Sequence, residues 1–160
     1  MAESRALNLA DPAATERLGH AVAQALAAQH PAQFCIYLDG ELGAGKTAFA
    51  RALLAGLGYQ GRVPSPTYTL VEPYTAGGFQ LLHADLYRLK DPAELDYLDI
   101  ADQFAAGCLL LVEWPEKGRG RLPSADLRLC LSIEGMGRRA VFEALTAQGA
   151  RLLALLSFTI

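Results

Sequence analysis

Eight residues of the chain, Gly40-Glu41-Leu42-Gly43-Ala44-Gly45-Lys46-Thr47, fit the pattern G-x-x-x-x-G-K-[ST] at every specified position. The pattern also arises by chance, so its surroundings decide what it means. Here it follows the apolar run Phe34 to Leu38 and precedes a helical stretch from Thr47 to Leu57, closed by Gly56-Leu57-Gly58. An apolar run without alternation is what a strand covered on both faces of a parallel sheet requires. In a strand-loop-helix arrangement, glycine-exposed backbone N–H groups and the free N–H groups of the helix start surround phosphate oxygens, and the helix dipole adds positive potential. Lys46 is then expected to bridge the β- and γ-phosphates, and the Thr47 hydroxyl to ligate Mg²⁺. The competing reading, a glycine turn with a solvated lysine, explains less once strand, loop and helix coincide.

The remaining elements follow from local signals. Arg5 to Leu9 reads as a short strand. Asp11 followed by Pro12 caps a helix that runs to about Gln29, with Leu18, Val22, Ala25 and Leu26 on one stripe. Val63-Pro64-Ser65-Pro66 excludes regular helix and leads as a loop into a strand over Tyr68 to Val71. Gly77-Gly78 joins that strand to another from Phe79 to Ala84. Asp91-Pro92 starts a short helical stretch through Leu98, which resumes from Ile100 to Phe104. Cys108 to Val112 is a second fully apolar strand, and it is followed by Glu113-Trp114-Pro115. Leu127 to Ile133 alternates apolar and polar residues and pairs across Gly135-Met136-Gly137 with Ala140 to Leu145. Gln148 to Leu156 reads as a terminal helix. The 160 residues match the ~150 typical of one domain, so residues 1–160 are expected to share one core.

Phosphoryl transfer needs an acid near Mg²⁺, at the end of a strand in the same sheet. Glu113, after Cys108 to Val112, and Asp85, after Leu81 to Ala84, both qualify, and the sequence leaves open which one touches the metal. Thr67 follows Ser65-Pro66 on a proline-stiffened loop, where its roles are a nucleotide-sensing group or a strand-initiating threonine. Trp114, the single tryptophan, either packs over the site, serves a partner surface or half-fills the core. His20, His30 and His83 read as core or surface residues, since no His, Cys and acid cluster has metal-ligand spacing. Lys117-Gly118-Arg119-Gly120-Arg121 is a local basic run, either a solvated loop or a contact for RNA or an acidic partner.

Composition narrows the function classes. With 14 Lys and Arg against 17 Asp and Glu the net charge is −3, which disfavours a broad nucleic-acid-coating surface. Hydrophobic residues form 52% and charged residues 19%, enough to build a core and unlike a disordered chain. The longest non-polar stretch, Phe104 to Val112, is about half of what a membrane-spanning helix needs. Met1-Ala2-Glu3-Ser4-Arg5 lacks the basic and apolar regions of an export signal, so a cytoplasmic location with no membrane contact is expected. Cys35, Cys108 and Cys130 are far apart among apolar neighbours and read as reduced thiols.

Four segments in order, Gly-Glu-Leu-Gly-Ala-Gly-Lys-Thr at 40–47, Ser-Pro-Thr-Tyr-Thr-Leu-Val at 65–71, Asp-Leu-Tyr-Arg-Leu at 85–89 and Leu-Val-Glu-Trp-Pro at 111–115, closely resemble the bacterial TsaE family, also called YjeE. The resemblance extends from the first helix to the C-terminal hairpin. It implies an α/β fold, a P-loop NTPase-like three-layer sandwich with a central, mostly parallel sheet and added antiparallel strands. It also implies a small ATPase that uses ATP and Mg²⁺ in forming threonylcarbamoyladenosine beside the anticodon of tRNA. Its partners would be TsaD and TsaB, with TsaD transferring the threonylcarbamoyl group and tRNA met indirectly through the complex. Hydrolysis would reset that complex between turnovers.

By the same resemblance, Lys46, Asp85 and Glu113 carry the catalytic roles, and Thr47 with Glu113 forms the metal site. Glu41, Leu42, Gly43, Ala44, Gly45, Lys46, Thr47 and Ala48 contact the nucleotide, Arg138 lies near the adenosine, and Thr67 and Trp114 form the nucleotide- and partner-responsive positions. Glu41 stands where many relatives have Asp, a neutral change if the loop binds through backbone. Two rival functions share the phosphate loop: a small-molecule kinase, and a nucleotide-dependent binding switch. A guanine-reading Asn-Lys-x-Asp motif does not occur in the sequence.

Overall fold

The computed structural model describes residues 3–156; Met1 and Ala2 of the leader reading lie outside them. The described strands are β1 (Ser4–Leu9), β2 (Gln33–Asp39), β3 (Val71–Ala76), β4 (Phe79–Asp85), β5 (Cys108–Glu113), β6 (Leu127–Glu134) and β7 (Gly137–Ala144). They form one sheet in the order β1-β7-β6-β2-β5-β4-β3. The four central strands β6, β2, β5 and β4 are mutually parallel, and β7, β1 and β3 add antiparallel pairings at the flanks. This is the P-loop NTPase-like arrangement expected from the sequence.

Helices α1 (Pro12–Gln29), α2 (Lys46–Gly56) and α4 (Ala147–Leu155) cover one face. Asp11 accepts a hydrogen bond from the Ala14 N–H at 2.9 Å with Pro12 in the first turn, and Thr146 accepts from the Gly149 N–H at 3.1 Å. These caps satisfy N–H groups that have no partner inside a helix. Leu18, Val22, Leu26, Phe49, Leu53 and Leu152 pack there against Phe34, Ile36, Leu109, Leu129 and Phe142 of the sheet. On the other face Cys35, Leu82, Leu110 and Val112 meet Leu86, Leu89, Leu95 and Ile100. Both faces of β2 and β5 are therefore dry, which is why their sequences do not alternate. The second face is covered by short elements: 3-10 helices at Pro92–Leu98 and Pro115–Gly118, and α3 (Ile100–Gln103).

One local expectation is corrected. The strand placed at Tyr68 to Val71 begins only at Val71 and runs to Ala76, while Leu70 closes a turn by donating its N–H to Pro66 O at 2.8 Å, with φ of 68°. Pro73 hides this strand from a propensity reading, yet β3 is the sheet edge, where a missing N–H faces away from the ladder. The helical stretch begun at Asp91-Pro92 is present as a 3-10 helix over Pro92–Leu98, its start closed by a capping box of Asp91 and Glu94. The hairpin over Gly77 and Gly78 is present, with φ of 60° and 81° at the two glycines, values that favour glycine in a two-residue turn.

The helix that carries the glycine-rich loop is held in place by α1. A Cβ added at Gly19 in α1 would stand 2.5 Å from Ala52 Cβ and 3.0 Å from Leu53 N and Phe49 O in α2. Helix propensity alone makes Gly19→Ala stabilising by about 1 kcal/mol. Overpacking against backbone opposes this by about 1–3 kcal/mol, so urea unfolding is expected to show a net loss of about 1 kcal/mol, and a larger loss for Gly19→Val. A stabilised Gly19→Ala protein would show that the two helices are not locked together here.

Candidate nucleotide site

β2 ends at Asp39 and the chain turns through Gly40 to Gly45 before α2 starts at Lys46. Gly45 has φ of 107° and no side chain to cap the helix, so the N–H groups of the first turn of α2 remain available to an anion. The turn is closed by the Ala44 N–H donating to Glu41 O at 3.1 Å.

Parallel pairing then decides which groups join the loop. Leu38 of β2 is paired with Glu113 of β5, and Glu113 with Asp85 of β4, so both acids stand at strand ends beside the loop. Glu113 is buried, with its Oε1 and Oε2 3.1 and 3.2 Å from Thr47 Oγ1, which donates to them. Asp85 Oδ1 accepts the Tyr87 N–H at 3.0 Å, and Oδ2 accepts from Ser65 Oγ at 3.4 Å. Burial pushes the Asp85 carboxyl above its ordinary range and the Glu113 charge pushes it the same way, while the Tyr87 N–H, His83 and the Ser65 hydroxyl pull it back.

Lys46 is 5% exposed. Its ammonium donates to the carbonyls of Gly40 and Glu41 and lies 3.9 Å from the centre of the Trp114 ring, a cation–π contact. Burial lowers its pKa, opposed by the charges of Glu113, Asp85, Glu116 and Asp39. Trp114 directly follows Glu113 in a left-handed backbone conformation, φ 58°, and its ring packs against Tyr87 with centroids 5.1 Å apart and planes tilted by 49°. Thr67 also lines the cleft, its hydroxyl 2.8 Å from that of Ser65.

These residues line a cleft of about 420 Å³ that contains Leu42, Gly43, Gly45, Lys46, Thr47, Ala48, Thr67, Asp85, Glu113 and Trp114. A second hollow of about 300 Å³ lies on the other side of Gly43 to Gly45, between the start of α1 at Asp11, Pro12 and Thr15 and the β6–β7 turn at Met136, Gly137 and Arg138. Arg138 donates to Gly43 O at 3.2 Å, Ala44 is buried in this wall, and Glu41 meets Lys46 through its carbonyl. In the basic run, Arg121 pairs with Asp96 at 2.7 Å on the surface and Lys117 sits over Tyr87.

The sequence reading did not single out Ser65, Tyr87 or His83 as site residues. Ser65 and Tyr87 carried a signal, because both fall inside the quoted motifs. His83 reads as a core or surface histidine; it is buried, and its Nε2 lies 2.7 Å from Glu113 Oε2.

The donors of the cleft suit a hard cation. Hydroxyl and carboxylate oxygens are what Mg²⁺ prefers, and two oxygens held at about 2.1 Å by an octahedral ion stand about 3 Å apart. Thr47 and Glu113 already present their oxygens at nearly that spacing, which leaves the other positions to phosphate and water.

A phosphate-type loop between a central parallel strand and a helix, with one acid on the adjacent strand β5 and another on β4 beyond it, places the protein in the P-loop NTPase-like class of α/β folds. Within that class the chain belongs to the TsaE family, since the family model described as "Threonylcarbamoyl adenosine biosynthesis protein TsaE" matches residues 9–141. The tRNA threonylcarbamoyladenosine biosynthesis protein TsaE of Haemophilus influenzae is 42% identical over 142 residues, covering 88% of this chain and 90% of that protein. The Bacillus subtilis protein of the same name is 36% identical over 114 residues, covering 71% and 70%. The crystal structure of YdiB from Bacillus subtilis superposes with a TM-score of 0.77 at 26% identity, covering 98% of this chain and 95% of that one. Proteins of this family are thus named for tRNA threonylcarbamoyladenosine biosynthesis. No helix among the described residues is long and apolar enough to cross a membrane.

The raised Asp85 pKa has a measurable cost. A carboxyl whose folded pKa exceeds its unfolded value stabilises the fold only below the unfolded value, 3.8, and loses that contribution as pH rises through the folded one. At pH 7 this buried carboxyl is therefore a net burden on the fold. Asp85→Asn keeps an oxygen for the Tyr87 N–H and is expected to stabilise the nucleotide-free protein by about 0.5–1 kcal/mol at pH 7, with the gain shrinking toward pH 4. Thermal unfolding at the two pH values checks this; an equal or destabilising effect at both would show that the Asp85 charge is well compensated.

Proposed function

We propose that this protein is the ATP-hydrolysing component of the cytoplasmic machinery that forms threonylcarbamoyladenosine beside the anticodon of tRNA, working with TsaD and TsaB and meeting tRNA only through them. The observation that carries this reading is the convergence of Lys46, Thr47, Glu113 and Asp85 in one cleft at the strand ends.

ATP binds across Gly40 to Thr47, with its phosphates against the first-turn N–H groups of α2. Lys46 exchanges the Gly40 and Glu41 carbonyls for β- and γ-phosphate oxygens. The base and ribose reach toward the hollow between α1 and Arg138, whose size suits a nucleoside. Thr47 and Glu113 would hold Mg²⁺, which when bound neutralises phosphate charge and orients the γ-phosphoryl group. Asp85 is anchored through Oδ1 by Tyr87, so Oδ2 is the oxygen that orients the attacking water. Thr67 and Trp114, both lining the cleft, respond to nucleotide and partner. Orientation and charge neutralisation are the whole task, because γ-phosphoryl transfer needs little covalent help.

Phosphate release from ATP, measured alone and with TsaD, TsaB and tRNA, tests the proposal. Slow release alone and faster release with the partners are expected, with Lys46→Ala and Glu113→Ala each lowering the rate about 100-fold or more. Undiminished release by Lys46→Ala, or γ-phosphate appearing on an added metabolite, would overturn it.

A further inference from the structure

His83 occupies a position on β4 where the fold asks for an apolar side chain. It is 0% exposed, its paired residue on β5 is Leu111, and Leu81 and Leu111 both belong to the larger apolar core. Its Nδ1 has no hydrogen-bond partner among the described residues, so its single polar contact is the 2.7 Å approach of Nε2 to Glu113 Oε2. With Glu113 ionised, as a cation ligand is, its oxygens only accept, so Nε2 is then the donor. A buried ring with one hydrogen bond, directed at a carboxylate of the cleft, does for packing nothing that leucine would not do.

The Glu113 carboxylate needs such a partner. Thr47 Oγ1 is almost equidistant from its two oxygens, at 3.1 and 3.2 Å, so Thr47 alone does not fix which one faces the cleft. His83 breaks that symmetry by holding Oε2 and leaving Oε1 beside Thr47. We propose that His83 is the positioning residue of the cation site: through Nε2 it locks the Glu113 carboxylate in the orientation that presents Oε1, next to the Thr47 hydroxyl, to the Mg²⁺ of a bound nucleotide. The inference rests on the proposed roles of Thr47 and Glu113. Outer groups that orient a metal ligand typically contribute 10- to 100-fold in metal affinity or activity.

The test compares the parent with His83→Leu, His83→Gln and His83→Asn. Binding of a fluorescent ADP analogue is measured in EDTA and across a Mg²⁺ titration, and phosphate release from ATP is measured over the same titration. Glutamine can bring an amide N–H to the place of Nε2; asparagine is too short. His83→Leu is expected to bind the analogue in EDTA within about twofold of the parent, yet to need about tenfold more Mg²⁺ for half-maximal binding and release. His83→Gln is expected to restore most of that requirement and His83→Asn not to. If His83→Leu fails to fold, the glutamine and asparagine pair decides, and equal Mg²⁺ requirements in the two overturn the role. A His83→Leu protein with the parent's Mg²⁺ requirement overturns it as well, while leaving the nucleotide site intact. A parent that binds no analogue and releases no phosphate at any Mg²⁺ concentration removes the site and this role together.

Discussion

The parallel register of β2, β5 and β4 fixes where every charged group of the cleft stands. Leu38 opposite Glu113 and Glu113 opposite Asp85 bring two acids to the same edge at which the chain leaves β2 for the glycine loop. Because side chains alternate with period two, a slip of one residue in β5 would turn Glu113 toward the face of Cys35 and Val112, away from Thr47. The slip is resisted by the apolar core, since it would also expose Leu109 and Leu111 to the wrong layer. Hydrophobic burial far from the cleft thus sets the geometry of its polar groups.

That geometry is held against electrostatic cost. Lys46, His83, Asp85 and Glu113 are the buried ionisable groups of the described residues besides the cysteines and Tyr74, and burial disfavours the charged forms of both Lys46 and Asp85. Partial compensation comes from short-range partners: carbonyls and an aromatic face for Lys46, a backbone N–H for Asp85, an imidazole and a hydroxyl for Glu113. The left-handed Trp114 belongs to the same account. Such a conformation costs a non-glycine residue of order 1–3 kcal/mol, and it swings the ring from the end of β5 onto Lys46 and Tyr87.

What the sequence made legible was what is local. The loop, the acids at strand ends, and the caps at Asp11 and Asp91 are each written within a few residues, and each is found where the pattern put it. The edge strand β3 was misplaced because Pro73 speaks against a strand unless its edge position is known. His83 was unreadable for a different reason. A histidine in an apolar strand looks the same whether it packs or pairs, and its partner lies on the neighbouring strand, 30 residues away in sequence. Ser65 and Tyr87 reach Asp85 through a loop and a turn that no periodicity describes.

The position of Lys46 links stability to response. A buried ammonium without partners would be strongly destabilising, and the partners of Lys46 are the carbonyls of its own loop and the Trp114 ring. An anion in the cleft therefore competes with contacts already made, so the free energy of binding is the difference between two sets of partners and not the sum of new ones. Displacing Lys46 also removes the cation from beneath Trp114, whose ring leans on Tyr87, two residues beyond Asp85. Lys46 is thereby linked to Trp114 at 3.9 Å and Trp114 to Tyr87 at 5.1 Å, a short chain of contacts from the loop to the Asp85 turn.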